Sequence, residues 1–291
     1  MQPLVSIILV NYNSFEVTIE CIKSIESSKF REVEVIVVDN GSKIDLSEDF
    51  NQHKFKIPVF WIRSEENLGF AGGNNLGIKS ANGDYFFLIN NDTEITQNLI
   101  GQLVTKFEET PNAGLISPKI IFYGTTKIQY GGYTKLSLLM QNRAEYNKED
   151  DSAQISGFHR THYAHGAAML TKRTVVKECG VMNEDYFLYY EELDWSEQIK
   201  KKGYGIYVDL DATIYHKESM SIGAESPLKL YYNARNRILF CRLNANPIRK
   251  FIFISYSLII LPVKVLSYIP SRKFTHAKSF LKAYLWHIRK K

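Results

Sequence analysis

The chain has 291 residues, of which 45% are hydrophobic and 23% are charged. These values are ordinary for a globular protein, and the length allows one large α/β domain with an appendage. Its three cysteines, Cys21, Cys179 and Cys241, are widely spaced and form no CxxC pair, which argues against a zinc site and against a disulfide framework. A reducing compartment fits this cysteine usage best. Residues 4–10 are strand-like with no charged leader before them, so we expect no signal peptide.

The formal net charge of +5 is distributed unevenly. Residues 246–291 contain ten Lys or Arg and no acidic residue, so the first 245 residues, with 26 basic and 31 acidic groups, carry −5. A basic tail on a mildly acidic body predicts an anionic partner for the tail. Nucleic acid is not expected as a partner, because the body is acidic and contains no recognisable recognition module.

Apolar runs at residues 4–10 and 33–38 predict two buried strands, joined by a helix over residues 14–28 that Ser14 can cap. Such a unit implies a parallel sheet with a right-handed crossover. Asp39 follows the second strand, at the end where ligands bind in open α/β sheets. It can accept hydrogen bonds from a nucleobase N–H or a ribose hydroxyl, or it can be an ordinary Asx-turn acid.

A third short strand over residues 58–62 leads into a glycine-rich segment, residues 66–78, which reads ENLGFAGGNNLGI. Glycine allows a close approach between backbone and ligand, and the following helix offers free N–H groups to an anion. The pattern is weak by itself, since it is neither a dinucleotide fingerprint nor a Walker loop. Glycines needed only for packing remain the alternative.

The apolar run at residues 85–89 stops abruptly at Asn90, Asn91 and Asp92. This pattern predicts a core strand with Asp92 just past its carboxyl end. A carboxylate in a turn at that position suits a divalent cation holding a phosphate. The alternative is a turn acid with its side chain in water.

A helix over residues 96–109 and a strand over 114–121 are predicted next. Residues 123–159 are rich in Tyr, Gly, Lys and Asn without periodicity, which predicts an irregular excursion over the active face with the character of a lid. The small residues of His165-Gly166-Ala167 then lead into an apolar run. They suit either a backbone lying against a ligand or a tightly packed strand.

Residues 187–201 read FLYYEELDWSEQIKK, with three acids at what is predicted to be a helix start. Acids are favoured there by the helix dipole, so Glu191, Glu192 and Asp194 can be simple capping residues. A carboxylate flanked by Tyr190 and Trp195 can instead be partly desolvated, which raises its pKa and makes it a better general base.

Two short strands, at residues 204–208 and 212–215, are predicted before His216. A His at a strand end, in a chain with other polar groups at strand ends, is a candidate metal or phosphate ligand, although a lone His is usually structural. A helix over residues 227–243 contains Arg235 and Arg237, which can contact phosphates or be ordinary surface charges.

Residues 251–263 are almost wholly apolar, but a bilayer span needs about 20 such residues. With its basic flanks this segment predicts a helix lying in a membrane interface, where each Lys or Arg near anionic lipid adds about 1 kcal/mol. A core helix or a homodimer helix is the alternative.

Taken together, the segments resemble inverting glycosyltransferases of family 2 with the GT-A fold, and among them the rhamnosyltransferase-type enzymes of bacterial O-antigen and other surface polysaccharides. The resemblance covers about residues 4–243. The motifs that carry it are VSIILVNYNS, VIVVDNGS, ENLGFAGGNNLGI, YFFLINNDTEI, HGAAMLTKR, FLYYEELDWSEQIKKKGY, YHKESMS and YYNARNR.

This resemblance implies a Rossmann-like, mostly parallel central sheet flanked by helices. A GT-A domain would occupy residues 1–245, with a nucleotide-sugar half at 1–118 and an acceptor and catalytic half at 119–245. Residues 246–291 would form a basic, apolar, helical extension that associates with a membrane. The protein would then be cytoplasmic and peripheral on the inner face of the cell membrane.

The resemblance also assigns roles to residues. Glu192 would be the catalytic base, with Glu191 as the competing candidate, and Asp92 with His216 would hold Mg²⁺ or Mn²⁺ on the diphosphate. Donor binding would involve Asn11, Asp39, Asn67, Gly69, Gly72, Asn75, Asn91 and Asp92. The acceptor side would involve His165, Gly166, Ala167, Asp194 and Trp195, and phosphate contacts would come from Arg235 and Arg237.

Two positions depart from the family pattern. The DxD-like motif is Asn90-Asn91-Asp92, so only Asp92 contributes a charge, and the base position holds Glu rather than Asp. By resemblance the donor is dTDP-rhamnose, with a UDP- or GDP-sugar as the alternative, and the acceptor is a saccharide or a polyprenyl-linked saccharide. A membrane-associated, non-catalytic nucleotide- or sugar-binding protein is the competing class, supported only by the incomplete motif.

Overall fold

The computed structural model describes residues 2–152, 155–217 and 226–289. Part of the YHKESMS motif, residues 218–221, therefore lies outside the described residues. The strands in the described part are β1 (Val5–Asn11), β2 (Val33–Asn40), β3 (Val59–Ser64), β4 (Tyr85–Asn90), β5 (Thr93–Ile95), β6 (Ala113–Phe122), β7 (Ile128–Tyr130), β8 (Phe158–Arg160), β9 (Ala168–Lys172) and β10 (Gly205–His216).

Helices alternate with these strands in the first half of the chain and dominate its end. They are α1 (Phe15–Glu26), α2 (Ser47–Gln52), α3 (Gly69–Ser80), α4 (Leu99–Glu109), α5 (Arg173–Cys179), α6 (Glu191–Lys201), α7 (Pro227–Asn244), α8 (Pro247–Ser267) and α9 (Phe274–Arg289), with a short 3₁₀ turn at Glu184–Tyr186.

The strands form one sheet in the order β3-β2-β1-β4-β9-β6-β10-β5, with β7 on β6 and β8 on β10. Strands β1 to β4 run parallel, whereas β9 is antiparallel to both β4 and β6. The predicted α/β class with a central sheet flanked by helices is confirmed. The sheet is mixed rather than mostly parallel, because the segment after residue 160 re-enters it in the opposite direction as β9.

Alternating side chains of the central strands bury against helices on both faces. In β1, Ile7 and Leu9 pack with α1 and α4, whereas Ile8 packs with α3, α5 and α6. This alternation follows from the two-residue period of a strand. The sheet is thereby buried on both sides, which explains why its strands read as continuous apolar runs.

Parallel register brings the polar residues that end the strands to one edge of the sheet. Asn11 of β1 lies beside Asp39 of β2, and Val10 lies beside Asn90 of β4. The turn that follows β4 carries Asp92, and β5 then pairs with the end of β10, where His216 lies opposite Thr93. One edge of the sheet therefore collects polar groups from four strands.

Several element boundaries differ from the sequence prediction. The two short strands predicted at 204–208 and 212–215 are one strand, β10, with an irregularity in its pairing to β6 between Asp209 and Thr213. Helix α4 begins at Leu99, later than the predicted start at residue 96, and residues 96–98 connect it to β5. Ser14 precedes α1 but makes no side-chain capping bond; its hydroxyl donates to the Tyr12 carbonyl.

The C-terminal helices pack against one another and against α6. Helix α9 packs on α7 and α8, and Phe253 of α8 is buried with Leu193 of α6 and Phe240 of α7. Helix α8 has 21 residues, a mean hydropathy of 1.7 over its most apolar window and only 11% of that window buried. By length and composition it is sufficient to cross a membrane, so the sequence argument that this segment is too short was wrong.

Candidate active site

Two cavities open at the polar edge of the sheet. The first, here called the glycine-loop cavity, measures about 330 Å³ and is lined by residues of the β1, β2 and β4 ends, the start of α3 and the segment before α6. The second, here called the glutamate cavity, measures about 340 Å³ and is lined by the Asn90–Asp92 turn, β7, the residues before β9 and the first turn of α6. Both are lined by Phe70, Asn90, Asp92 and Leu188, so they adjoin each other at Asp92.

Asp92 and His216 form the polar group at the junction. His216 Nε2 lies 3.2 Å from Asp92 Oδ1 and 3.2 Å from Asn90 Nδ2. His216 Nδ1 lies 2.8 Å from Gln129 Oε1. Because a Gln carbonyl oxygen only accepts, this contact places the proton of a neutral ring on Nδ1 and leaves the Nε2 lone pair directed at the junction.

The Asp92–His216 pair fits a divalent cation. Asp92 Oδ1 is buried and has no hydrogen-bond partner, which is costly for a carboxylate oxygen unless a cation balances it. A carboxylate oxygen is a suitable ligand for Mg²⁺ or Mn²⁺, whereas an imidazole nitrogen is more usual on a transition-metal ion such as Mn²⁺ than on Mg²⁺. In the described part of the chain, no group of three or more His, Cys, Asp or Glu side chains surrounds a common point. The remaining ligands would therefore come from phosphate oxygens and water.

Glu191 and Glu192 begin α6 and line the glutamate cavity. Burial raises the pKa of Glu192 to about 7, against the opposing effect of backbone N–H groups at the helix start. Burial and the charge of Glu192 raise the pKa of Glu191 well above its usual value, and Glu191 Oε2 is buried without a hydrogen-bond partner. Glu191 is almost fully buried whereas Glu192 is partly exposed, so Glu192 is the better placed of the two to meet a ligand.

The opposite wall of the glutamate cavity is formed by the His165–Ala167 segment. A Cβ on Gly166 would lie 4.0 Å from the Glu192 carboxyl carbon, so glycine keeps space open beside this carboxylate. His165 stacks on Tyr133 and accepts a hydrogen bond from the Ala167 N–H at Nδ1, 3.0 Å. Burial, and then the neighbouring His216, lower the pKa of His165 to about 3, so its ring is neutral.

Residues 6–180 match the family model described as Glycosyl transferase family 2. This chain belongs to glycosyltransferase family 2. It is 29% identical over 245 residues, 80% of the chain and 74% of the relative, to the low-salt glycan biosynthesis hexosyltransferase of Haloferax volcanii. It is also 28% identical over 199 residues, 66% of the chain and 59% of the relative, to an uncharacterized glycosyltransferase of Rickettsia typhi.

Solved structures share its fold. A mannosyltransferase from Pyrobaculum calidifontis, in complex with GDP-Man and Mn²⁺, is similar with a TM-score of 0.61 at 14% identity, covering the whole of this chain and 89% of that one. A GalNAc transferase structure with UDP, GalNAc and Mn²⁺ gives a TM-score of 0.62 at 17% identity over 80% of this chain and 47% of that one. The expected enzyme class and GT-A-like fold are therefore confirmed, and the non-catalytic alternative loses its support.

Within this family 2 glycosyltransferase, some predicted donor-side residues line a cavity and others do not. Asn67, Gly69 and Asn91 line the glycine-loop cavity. Asp39 is fully buried. Its carboxylate forms an ion pair with Arg63 and accepts a hydrogen bond from Asn11 Nδ2 at 3.0 Å, so it faces neither cavity.

The second part of the glycine-rich segment packs against the chain before α6. Asn75 Nδ2 donates to the Met182 carbonyl at 2.8 Å and to Glu184 Oε1 at 2.9 Å. A Cβ on Gly72 would lie 2.7 Å from Leu68 Cβ. Gly72 and Asn75 therefore serve packing within the protein and do not line a cavity.

Two of the remaining predicted residues, Asp194 and Trp195, are held inside the protein. Asp194 accepts hydrogen bonds from Gln198 and Asn244, and the indole N–H of Trp195 donates to the Gly180 carbonyl. Neither residue lines the glutamate cavity, because both face away from it on α6.

The two arginines of α7 that were predicted to contact phosphate, Arg235 and Arg237, do not line the cavities either. Arg235 is buried and donates to backbone carbonyls, and Arg237 lies over the Phe253 ring. The cation of α7 that lines the glutamate cavity is Lys229, near the helix start.

Sequence analysis missed several cavity residues, namely Tyr12, Asn40, Phe70, Gln129, Tyr133, Leu188 and Lys229. The position of Asn40 at the end of β2 could have identified it, but the prediction selected the neighbouring Asp39 instead. Gln129 and Tyr133 come from the irregular excursion, where no periodicity indicates which side chains face inward.

The raised pKa of Glu192 makes a prediction about stability. Between the ordinary pKa of 4.5 and about 7, the folded state keeps a proton that the unfolded chain has lost, so the free energy of unfolding falls as pH rises through this interval. The free energy of unfolding of Glu192→Gln, measured in urea relative to that of wild type, should therefore increase by about 1–3 kcal/mol between pH 4.5 and pH 8. The matched control is Glu197→Gln on the same helix, which removes an ion pair with Lys200 and should show no such gain. A pH-independent difference between Glu192→Gln and wild type would contradict the raised pKa.

Proposed function

We propose that this chain transfers a sugar from a nucleotide-diphosphate donor to a hydroxyl group of a saccharide or lipid-linked acceptor, with inversion at the anomeric carbon. The observation that carries the proposal is the meeting of two cavities at Asp92, with a high-pKa carboxylate in only one of them. A donor in the first cavity and an acceptor in the second would bring their reacting atoms together at this junction.

The glycine-loop cavity suits the nucleotide part of the donor. Its walls combine amide side chains, from Asn40, Asn67 and Asn91, with the apolar faces of Phe187 and Leu228. Such a mixture of apolar surface and a few oriented polar groups is typical of small-molecule sites. The diphosphate would then lie towards Asp92, the acidic residue among those that line this cavity.

Asp92 and His216 would hold Mg²⁺ or Mn²⁺, which when bound stabilises the charge that develops on the departing diphosphate. The chain keeps His216 oriented through Gln129, whose side-chain oxygen bonds Nδ1 and leaves Nε2 for the cation. Oriented partners of this kind fix the tautomer and direction of a ligating His.

Glu192 is proposed as the general base. The acceptor oxygen forms a bond to the anomeric carbon while its proton passes to the Glu192 carboxylate, and the bond between the anomeric carbon and the diphosphate oxygen breaks with its electron pair leaving on the diphosphate. A pKa near 7 keeps a useful fraction of the carboxylate ionised at neutral pH while making it a stronger base than an exposed Glu.

For the donor we propose dTDP-rhamnose, on the resemblance of the sequence motifs to rhamnosyltransferases. The structural neighbours are described with GDP-Man, UDP and UDP-GlcNAc, so UDP- and GDP-sugars are the alternatives. The base would lie nearest the β1 and β2 ends, where Arg63 and Asp39 form a polar pair close to Asn40.

We further propose that α8 lies in the interface of an anionic membrane on the cytoplasmic side. Its outward face exposes Ile248, Phe251, Leu258, Ile259 and Leu266, at the spacing of one helical stripe. The opposite face is held to the protein, with Phe253 and Ser257 buried. A helix held along one side fits an interface better than a span, since a spanning helix needs apolar surface all round. The surplus of basic residues after position 246 complements anionic lipid.

The donor proposal is tested by calorimetric titration with dTDP, UDP and GDP, each with and without Mn²⁺. We expect one nucleotide to bind, more tightly with the metal, and Asp92→Asn to remove the metal dependence because it removes the charge at the junction. The control is Asp45→Asn, which removes a carboxylate on the protein surface and should leave the metal dependence of nucleotide binding unchanged. Failure of all three nucleotides to bind wild type would count against a nucleotide-sugar site in this cavity.

The role of Glu192 is tested by nucleoside diphosphate release from the donor so identified, in the presence of an acceptor extract from membranes. Glu192→Gln should lower kcat by about 10²–10⁴-fold, because the acceptor proton loses its base. Binding of the nucleotide should be kept, since Glu192 lies in the other cavity. Glu197→Gln serves again as the control on the same helix. If Glu191→Gln abolishes turnover and Glu192→Gln does not, the base assignment is wrong.

The membrane proposal is tested by flotation with phosphatidylcholine vesicles that contain phosphatidylglycerol. Ile259→Glu, at a position 69% exposed on α8, should weaken binding by about 10-fold or more, because an apolar contact with lipid is replaced by a charge. The matched control is Ile44→Glu, at a position 68% exposed on the body. Equal effects of the two substitutions would rule out α8 as the docking face.

A further inference from the structure

The four residues before α6 have an unfavourable backbone conformation. This segment, here called the aromatic segment, is residues 187–190, Phe-Leu-Tyr-Tyr. Phe187, Tyr189 and Tyr190 have φ values of 63°, 70° and 75°. Positive φ is disfavoured for residues with a Cβ and persists only where surrounding contacts enforce it. Something outside the segment must therefore hold it.

The aromatic segment shapes both cavities. Phe187 and Leu188 line the glycine-loop cavity, and Leu188 and Tyr189 line the glutamate cavity. Tyr190 is the residue that precedes the first turn of α6, so the direction of the segment sets where the Glu191 and Glu192 side chains begin. A change in its shape would move cavity walls and carboxylates together.

Two adjacent residues of α7 bind the carbonyls of this region. The Asn236 side chain is fully buried, and its Nδ2 lies 2.9 Å, 2.6 Å and 2.7 Å from the carbonyl oxygens of Tyr186, Leu188 and Tyr189. The Arg235 guanidinium donates to the carbonyls of Asp185 and Tyr186 at 2.7 Å and 2.5 Å. These carbonyls lie outside regular secondary structure, so the side chains of Arg235 and Asn236 supply their hydrogen-bond donors.

Helix α3 holds the same segment from the other side. The Phe70 N–H donates to the Phe187 carbonyl at 2.6 Å, and a Cβ on Gly69 would lie 2.2 Å from that carbonyl oxygen. Gly69 also has a φ of +72°, so both its conformation and its lack of a side chain are required here. This contact binds one end of the segment, and Asn236 binds its middle.

Arg235 is itself held by the C-terminal extension. Its guanidinium lies 4.7 Å from the ring centre of Tyr232 and 4.8 Å from that of Trp286, on α9. The neighbouring His287 Nε2 lies 2.8 Å from the Arg235 carbonyl oxygen. The C-terminal extension therefore contacts Arg235, which binds the Asp185 and Tyr186 carbonyls directly before the aromatic segment.

We infer that Arg235 and Asn236 are positioning residues, which fix the aromatic segment and through it Glu191 and Glu192, and that Trp286 of α9 supports them. This replaces the phosphate contact predicted for Arg235 from the sequence. The kinetic part of the inference rests on the proposed transferase function; the structural part does not.

The structural part is tested by hydrogen-exchange mass spectrometry on the full-length protein. Asn236→Ala should raise amide exchange in peptides covering residues 186–192 by about 10-fold, because this region loses its carbonyl partners while the core strands keep theirs. The matched control is Asn233→Ala, one turn earlier on α7, where the amide donates only within its own helix, to the Lys229 carbonyl at 3.0 Å. Unchanged exchange at 186–192 in Asn236→Ala would overturn the inference.

The kinetic part compares kcat with the Kd for the nucleoside diphosphate. In Asn236→Ala we expect kcat to fall by about 10- to 100-fold, since small displacements of catalytic groups have effects of this size. The nucleotide Kd should rise by a smaller factor than kcat falls, because Phe187 and Leu188 line the glycine-loop cavity while its amide groups, Asn40, Asn67 and Asn91, lie on other elements. A general loss of folding would instead lower both activity and binding in proportion. Raised exchange with unchanged kcat would show that the segment needs no such positioning.

Trp286→Ala provides a second variant if Asn236→Ala does not fold. It leaves the bonds of Asn236 in place and removes one aromatic face from Arg235, so we expect a smaller rise in exchange at 186–192, about threefold. Unchanged amide exchange at residues 186–192 in Trp286→Ala would show that α9 does not support the aromatic segment. If wild type shows no transfer with any donor, the proposed function fails, while the exchange measurements still decide the positioning inference.

Discussion

The site depends on the parallel register of β1, β2 and β4. Because parallel strands that are in register end at one edge, Asn11, Asp39 and Asn90 are brought side by side although they are far apart in sequence. Burial of the sheet on both faces leaves this edge as the place where polar groups meet a ligand. The Asp92 turn and the end of β10 complete the edge, so Asp92 and His216 are brought together by strand pairing and not by a local motif.

The second determinant is the desolvation of carboxylates. Asp92, Glu191 and Glu192 are all drawn into cavity walls, where a charge is costly without a counterion or a proton. The structure treats them differently: Asp92 has a histidine at 3.2 Å, whereas the pKa of Glu192 is raised to about 7. These two environments differ in the way that the proposed roles require, with a cation beside Asp92 and a proton passing to Glu192.

The C-terminal helices connect this chemistry with the surroundings of the protein. Helix α8 presents apolar side chains outward, α9 packs between it and α7, and α7 carries the donors that hold the aromatic segment. If α8 lies on a membrane, the same helices that set the distance to it also support the segment that precedes Glu191 and Glu192, the proposed catalytic carboxylates. The extension is then part of the active-site architecture as well as an anchor.

The sequence by itself located the ends of β1, β2 and β4, the α/β class and the family, because buried strands and the turns that end them leave a strong local pattern. It also identified Asp92, His216, Glu191, Glu192 and the His165–Ala167 segment, which the structure brings around one cavity. Only the tertiary structure decided which neighbours of these residues face the cavity. On α6, Asp194 points away from it, and on α7, Arg235 turns to backbone carbonyls while Lys229 reaches the cavity. Helical facing and the pairing of distant segments, such as Gln129 with His216, depend on packing between elements, and a local sequence pattern does not record that packing.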